Sequence, residues 1–195
     1  MQSFEHELKF GELVIGVDEV GRGCLAGPVI AAAVKVDKSI VNFCVNDSKK
    51  LSIKKRELIY SALIEHFEYA VGIVDVQEID SVNILNATKK AMEIAIRSLN
   101  PDLSLPIIVD GNTKPFQSDK IHTVIQADAL MPSVAAASII AKVTRDRLMK
   151  EKGSLFPHYN WQKNAGYGTK QHIDAILEHG ICEHHRHTFL KKIMS

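Results

Sequence analysis

An apolar run, Leu13-Val14-Ile15-Gly16-Val17, delivers Asp18 and Glu19 side by side and then breaks at Gly21-Arg22-Gly23. The run has the pattern of a strand buried in a sheet. Ionised carboxylates leaving such a strand cost on the order of several kcal/mol unless they are paired or metal-bound. The fold must therefore supply a cation at this point. Divalent Mg²⁺ or Mn²⁺ prefers oxygen ligands, and neighbouring glycines let backbone N–H groups approach a phosphate ester closely. The combination points to phosphodiester chemistry; the plain alternative is a surface turn with two solvated acids.

A chain of 195 residues can bury one sizeable core, and one domain is expected. Its 24 Lys and Arg against 23 Asp and Glu give a formal charge of +1, so any basic surface must be local. Cys24, Cys44 and Cys182 are odd in number, scattered and without Cys-x-x-Cys spacing, which favours reduced thiols over a disulfide framework or structural zinc. The N-terminal residues lack a signal-peptide core and no apolar run reaches membrane-spanning length, so a soluble cytoplasmic protein is expected.

The apolar stretch from Pro28 to Val36 predicts a second strand paired with the first. Ser52 can cap a helix from Ile53 to about Phe67, with Leu58, Ile59, Ala62, Leu63 and Phe67 on one face. Tyr69 to Val76 reads as a strand. A helical period follows from Ile84 to Leu99 and stops at Asn100-Pro101. Ile107-Ile108-Val109 repeats the opening pattern, a short buried strand that brings Asp110 to Gly111, and Ile121 to Ile125 is another short strand. Ser133 to about Lys150 predicts a largely buried helix with Gly153 as its stop. A last clear helix follows Thr169 and ends at His179-Gly180. Strands followed by strand–helix alternation favour an α/β sheet packed with helices, closed by a C-terminal appendage.

Asp18, Glu19, Asp110 and Asp128 each lie at or beside the end of an apolar run, so folding can gather them. Two divalent ions roughly 4 Å apart, sharing such carboxylates, could activate a water on one side of a scissile phosphate and stabilise the leaving oxygen on the other. Asp128, within Gln126-Ala127-Asp128-Ala129-Leu130, is the weakest by pattern, and a helix-capping role stays open for it.

Asp18-Glu19-Val20-Gly21-Arg22-Gly23 with Leu25-Ala26-Gly27-Pro28 resembles the signature of type 2 ribonuclease H, the bacterial ribonuclease HII family. Asp47-Ser48-Lys49-Lys50-Leu51-Ser52, Val109-Asp110-Gly111, Ala137 to Asp146, Gly166-Tyr167-Gly168-Thr169-Lys170 and His185-Arg186-His187-Thr188-Phe189 follow in the family's order, spanning Ile15 to Phe189. The resemblance implies a ribonuclease H-like fold: a central mixed β-sheet flanked by helices, in a single catalytic domain over 1–195. Residues from about 155 to 195 would form a C-terminal helical extension that contacts substrate. It also implies that Asp18, Glu19, Asp110 and Asp128 are the catalytic, metal-binding quartet for two Mn²⁺ or Mg²⁺ ions. The implied reaction is endonucleolytic cleavage of the RNA strand in RNA–DNA hybrids, and cleavage 5′ of single ribonucleotides in duplex DNA, leaving a 3′-hydroxyl and a 5′-phosphate. Such cutting would initiate ribonucleotide excision. In the same reading the Gly21-Arg22-Gly23 backbone contacts the ribose, whose 2′-hydroxyl marks RNA, and Tyr167 packs on the following sugar at an RNA–DNA junction. A turn aromatic between two glycines is the structural alternative for Tyr167. A replication clamp is a further candidate partner, and a monomer is the expected state.

Lys49, Lys50, Lys142, Arg145, Lys170 and Arg186 fall in the matching blocks as candidate phosphate contacts, although a solvated lysine on a helix is the commoner case. Asp146 could pair with Arg145 or Arg147, or buttress the site. Cys24 stands where relatives often carry proline. Cys182-Glu183-His184-His185-Arg186-His187 holds zinc-type ligands at a crowded spacing that is not a recognised finger, and His158 and His172 suit packing or polar surface roles. Gly21-x-Gly23-x-x-Ala26 loosely fits a dinucleotide fingerprint, but Pro28 opens a strand where that motif needs a helix. A noncatalytic hybrid-binding module is disfavoured by the four retained acids. Type 3 ribonuclease H, with an extra N-terminal domain, is disfavoured by the short segment before Ile15.

Overall fold

The opening apolar run forms strand β1 (Leu13–Val20), and the Ala- and Val-rich run after the glycines forms β2 (Val29–Asp37). In this computed structural model, which describes residues 3–43, 51–191 and 193, the two strands pair antiparallel from Leu13 opposite Asp37 to Val20 opposite Ile30. Asp18 and Glu19 thus lie inside the last turn of the ladder rather than beyond it, and Gly21 is the residue that ends the strand. Strand β3 (Tyr69–Val74) extends the antiparallel ladder from β2, while β4 (Ile107–Asp110) and β5 (Ile121–Val124) run parallel to β1 on its other side. The order β3-β2-β1-β4-β5 makes the expected mixed sheet.

Nine helices flank it among the described residues: α1 (Glu5–Leu8), α2 (Ile53–His66), α3 (Val76–Val82), α4 (Ile84–Leu99), α5 (Ala127–Leu130), α6 (Pro132–Leu155), α7 (Trp161–Asn164), α8 (Lys170–His179) and α9 (His187–Leu190). Strand side chains alternate between faces. Val14, Ala32, Val34 and Ile108 pack on one face with α6 and α2, and Ile15, Val17, Ala31, Ala33 and Val109 pack on the other with α4. Gly16 is what lets α6 lie directly on β1, because a Cβ there would sit 2.2 Å from the carbonyl carbon of Ser133.

Several boundaries and faces differ from the sequence expectation. Ser52 does cap α2, accepting the N–H of Lys55, but the buried residues are Ile59, Tyr60 and Leu63, and Leu58 is exposed. Val76 belongs to α3, whose start is capped by the Asp75 carboxylate accepting the Glu78 N–H at 2.9 Å. Helix α6 runs through Gly153 to Leu155. That glycine is a point of close approach rather than a stop, since a Cβ would meet the Gln162 side chain at 2.7 Å. Helix α8 ends at Gly180 as expected, but it buries His172, Ala175 and Ile176 and leaves Leu177 in solvent.

The C-terminal helical region builds a third core around Met149, Tyr159, Trp161, Ile176 and Leu190, into which Ala26 also packs. Two isolated bridges, Cys24 with Tyr167 and Ala26 with His185, join it to the segment between β1 and β2. Among the described residues no helix is long and apolar enough to cross a membrane.

Candidate active site

Strands β1 and β4 run parallel, with Gly16 beside Ile108 and Val17 beside Val109, so their next residues are Asp18 and Asp110. Both share the strand parity of the side chains that face α6, whereas Glu19 shares the parity of Ile15 and Val17 on the α4 side. All three carboxylates nevertheless line one cleft of about 300 Å³ at the carboxyl ends of these strands, together with Gly21, Arg22, Gly23, Lys142 and Tyr167. Ser138 and Arg56 complete its wall; neither stood out in the sequence as a site residue. Ser138 lies one helical turn before Lys142 on α6, a spacing that places the two on one face.

The cleft is strained electrostatically. Burial holds the Asp18 carboxyl well above its ordinary range, and the neighbouring Glu19 and Asp110 charges add to this, while a hydrogen bond from Ser138 opposes it. The Glu19 N–H also donates to Asp18 Oδ1 at 2.8 Å. Burial raises Glu19 as well, against the pull of Arg22, whose Nη1 lies 3.1 Å from Glu19 Oε1. Asp110 Oδ1 accepts the Ala127 N–H at 2.7 Å and so anchors the start of α5. Asp128 is buried in the first turn of that helix. It is not the cap: Gln126 occupies the N-cap position in a left-handed conformation without a side-chain bond. Nor does Asp128 line the cleft.

Among the described residues no three Cys, His, Asp or Glu side chains are already drawn into an arrangement that holds a metal ion. The donor set is nonetheless of the right kind, since three hard carboxylates on one cleft, two of them disfavoured as free anions, suit a divalent cation with oxygen preference.

The basic candidates separate into distinct groups. Lys142 faces the cleft and pairs with Asp146 at 2.8 Å; Asp146 therefore partners neither Arg145 nor Arg147, the latter bonding Glu57 instead. Arg145 and Arg186, expected at phosphates, are instead fully buried and donate to backbone carbonyls, so neither guanidinium is presented to a phosphate. Lys170 opens α8 on a separate exposed depression beside His158 and Asp174, away from the cleft. Lys49 and Lys50 lie outside the described residues.

Tyr167 is partly exposed on the cleft wall, and its backbone bridges that of the buried Cys24. The Lys142 ammonium and the Arg145 guanidinium stand 5.7 and 5.9 Å from its ring centroid. Behind it, the histidines form a network with assignable protons. The Trp161 indole N–H donates to His172 Nε2 at 3.0 Å, so His172 carries its proton on Nδ1 and gives it to the Tyr167 carbonyl at 2.9 Å. The Cys182 N–H donates to His185 Nδ1 at 3.1 Å, which leaves His185 Nε2–H to donate to His172 Nε2 at 3.2 Å. Cys182 Sγ lies 3.4 Å from His185 Nδ1, and His184 contacts Lys152.

A mixed β3-β2-β1-β4-β5 sheet with carboxylates at the ends of its two central parallel strands defines a ribonuclease H-like protein. A sequence model of the Ribonuclease HII family matches residues 15–192. The chain is 50% identical over 177 residues to the ribonuclease HII of Rickettsia rickettsii (strain Sheila Smith), covering 91% of each chain. Its fold matches the ribonuclease H2 of Pyrococcus horikoshii OT3 with a TM-score of 0.76 at 27% identity, covering 93% of this chain and 96% of that one. It matches the ribonuclease HII in the PCNA:RNase HII complex from Archaeoglobus fulgidus with a TM-score of 0.74 at 26% identity, covering 90% and 94%. The chain belongs to the ribonuclease HII family and is a ribonuclease H, an endonuclease acting on the RNA strand of RNA–DNA hybrids.

Proposed function

We propose that this enzyme cuts both continuous RNA–DNA hybrids and duplex DNA carrying a single ribonucleotide, hydrolysing the phosphodiester on the 5′ side of the ribonucleotide to leave a 3′-hydroxyl and a 5′-phosphate. The observation that carries this reading is the convergence of Asp18, Glu19 and Asp110 with Gly21-Arg22-Gly23 and Tyr167 on one cleft. Asp18, Glu19, Asp110 and Asp128 would hold two divalent ions, Mn²⁺ or Mg²⁺; Asp128 lies in the first turn of α5, the helix whose start Asp110 anchors. When bound, such ions lower the pKa of a water and offset charge on the scissile phosphate.

The chain's own groups do the rest. Asp18, held by Ser138, fixes the floor of the site. The backbone of Gly21 to Gly23 offers donors to a ribose 2′-hydroxyl and its phosphate, a contact that a deoxyribose cannot complete. Arg22 and Lys142 stand at the rim as charge partners for the backbone of the cut strand. Tyr167, supplied by the C-terminal helical extension from about residue 155, packs on the sugar that follows the ribonucleotide. The working state is a cytoplasmic monomer that begins ribonucleotide excision, with a sliding clamp as a partner by analogy with the Archaeoglobus fulgidus complex.

The test is incubation of the purified protein with a labelled DNA duplex containing one ribonucleotide, with Mg²⁺, Mn²⁺ or chelator, followed by mapping of both new ends. Cleavage 5′ of the ribonucleotide that needs a divalent ion is expected. Absence of cleavage with either ion, or a cut elsewhere that persists in chelator, overturns the proposal.

A further inference from the structure

The guanidinium of Arg186 is buried beneath the loop that follows β1 and makes four hydrogen bonds to its backbone carbonyls. Nε and Nη2 donate to the Gly27 carbonyl at 3.0 and 2.8 Å, Nη2 also to Gly21 at 2.7 Å, and Nη1 to Arg22 at 2.9 Å. Arg145 holds the same loop from α6, donating to the carbonyls of Pro28 and Ala26 at 2.9 Å and to Ala165 at 2.7 Å. Neither makes an ion pair with a carboxylate among the described residues. Burying a cation without a counter-ion is costly, so stability alone does not account for two of them side by side. A carboxylate acts on Arg186 at one remove: Asp80 of α3 accepts the N–H groups of His187 and Thr188 at 2.8 and 3.1 Å, and the Thr188 hydroxyl as well.

A trans peptide points its C=O and the following N–H in opposite directions. With the carbonyls of Gly21 and Arg22 turned inward onto Arg186, the N–H groups of Arg22 and Gly23 are turned outward, and neither donates to a backbone acceptor among the described residues. Gly21 adopts φ of +93°, and a Cβ there would strike Arg145 Nε at 2.3 Å, so the loop and its two braces fit one backbone shape.

We infer that Arg186, seated by Asp80 and seconded by Arg145, is a positioning residue that aims the Arg22 and Gly23 N–H groups at the ribose and so sets the preference for RNA over DNA. This rests on the cleft being the ribose-reading site proposed above. Arginine is required because the flat fork reaches three carbonyls at once, which a lysine ammonium on a flexible stem does not reproduce.

The test measures binding of an RNA–DNA hybrid and of a DNA duplex of the same sequence, in chelator and over a range of salt, for wild type, Arg186→Lys and Asp80→Ala, with a thermal melt of each. The folded Arg186→Lys protein is expected to lose about tenfold in hybrid-over-DNA preference, the worth of roughly one well-made hydrogen bond. Its salt dependence stays that of wild type. Asp80→Ala, peripheral to the loop, should lower the preference in the same sense and decides the matter if Arg186→Lys does not fold. A preference that survives in both variants, or a salt slope reduced by about one with preference intact, as for a direct phosphate contact, overturns the inference. A wild type that does not prefer the hybrid overturns the ribose reading itself, a result distinct from a preference that survives substitution.

Discussion

The Ser138 hydroxyl donates to the Asp18 carboxylate, tying helix α6 to the end of β1 at the most buried acid of the cleft. Burial and the Glu19 and Asp110 charges nevertheless make ionised Asp18 unfavourable in the metal-free protein. Asp18→Asn removes the charge with little change in shape. It is expected to abolish cleavage and preserve hybrid binding. It should also raise the melting temperature in chelator, by an amount equivalent to about 0.5–2 kcal/mol. Added Mg²⁺ or Mn²⁺ should then stabilise wild type more than the variant, as read by calorimetry. Full activity in Asp18→Asn contradicts its assignment as a ligand.

Tyr167 lines the cleft while its backbone is bridged to Cys24. Tyr167→Ala should reduce cutting at a single embedded ribonucleotide by about tenfold, roughly the worth of one packed aromatic contact, and cutting of continuous hybrids by less. Tyr167→Phe keeps the ring and should fall between. Equal losses on both substrates would remove the junction role.

Glu7, buried near the N-terminus, accepts the Ser133 N–H at 2.9 Å and thereby caps α6, whose own N-cap residue, Met131, provides no side-chain bond. Glu7→Ala leaves that N–H without its acceptor and should cost about 1–3 kcal/mol in urea unfolding. Glu7→Gln retains an acceptor oxygen and should cost less. Burial raises the Glu7 pKa, so its charge is not what stabilises the fold.

His185 is pushed down to about 4 and His172 is also lowered, both chiefly by burial. A histidine depressed in the folded state takes up its proton more readily when unfolded. The stability tied to these neutral rings is therefore present above pH 6.5 and is lost as pH falls toward 4, by up to roughly 1.4 kcal/mol per pH unit for each proton. Thermal melts between pH 7 and 5 should fall more steeply for wild type than for His185→Asn. Parallel profiles would show that His185 is not held neutral.

The strands were legible because each is a short apolar run bounded by glycine, proline or charge, and α4 and α8 because Asn100-Pro101 and Gly180 end them. The carboxylates of β1 and β4 were legible for the same reason, being acids at the ends of buried runs. What escaped was non-local. Nothing near Pro132 announces that Glu7 caps α6, and nothing around Gly153 shows that Gln162 will press on it. The motif arginines 145 and 186 read as phosphate ligands because charge suggests solvent; only the third core, closing over Ala26, reveals that they point inward. Helix α3 was missed because seven residues after a strand carry little periodicity beyond their Asp75 cap.

The bond from Arg186 to Gly21 joins residues 165 positions apart. At a synthesis speed of about 5–20 residues per second, the front of this polypeptide waits roughly ten to thirty seconds for its clasp to emerge from the ribosome. Until then the loop that follows β1 lacks the arginine that holds its carbonyls inward.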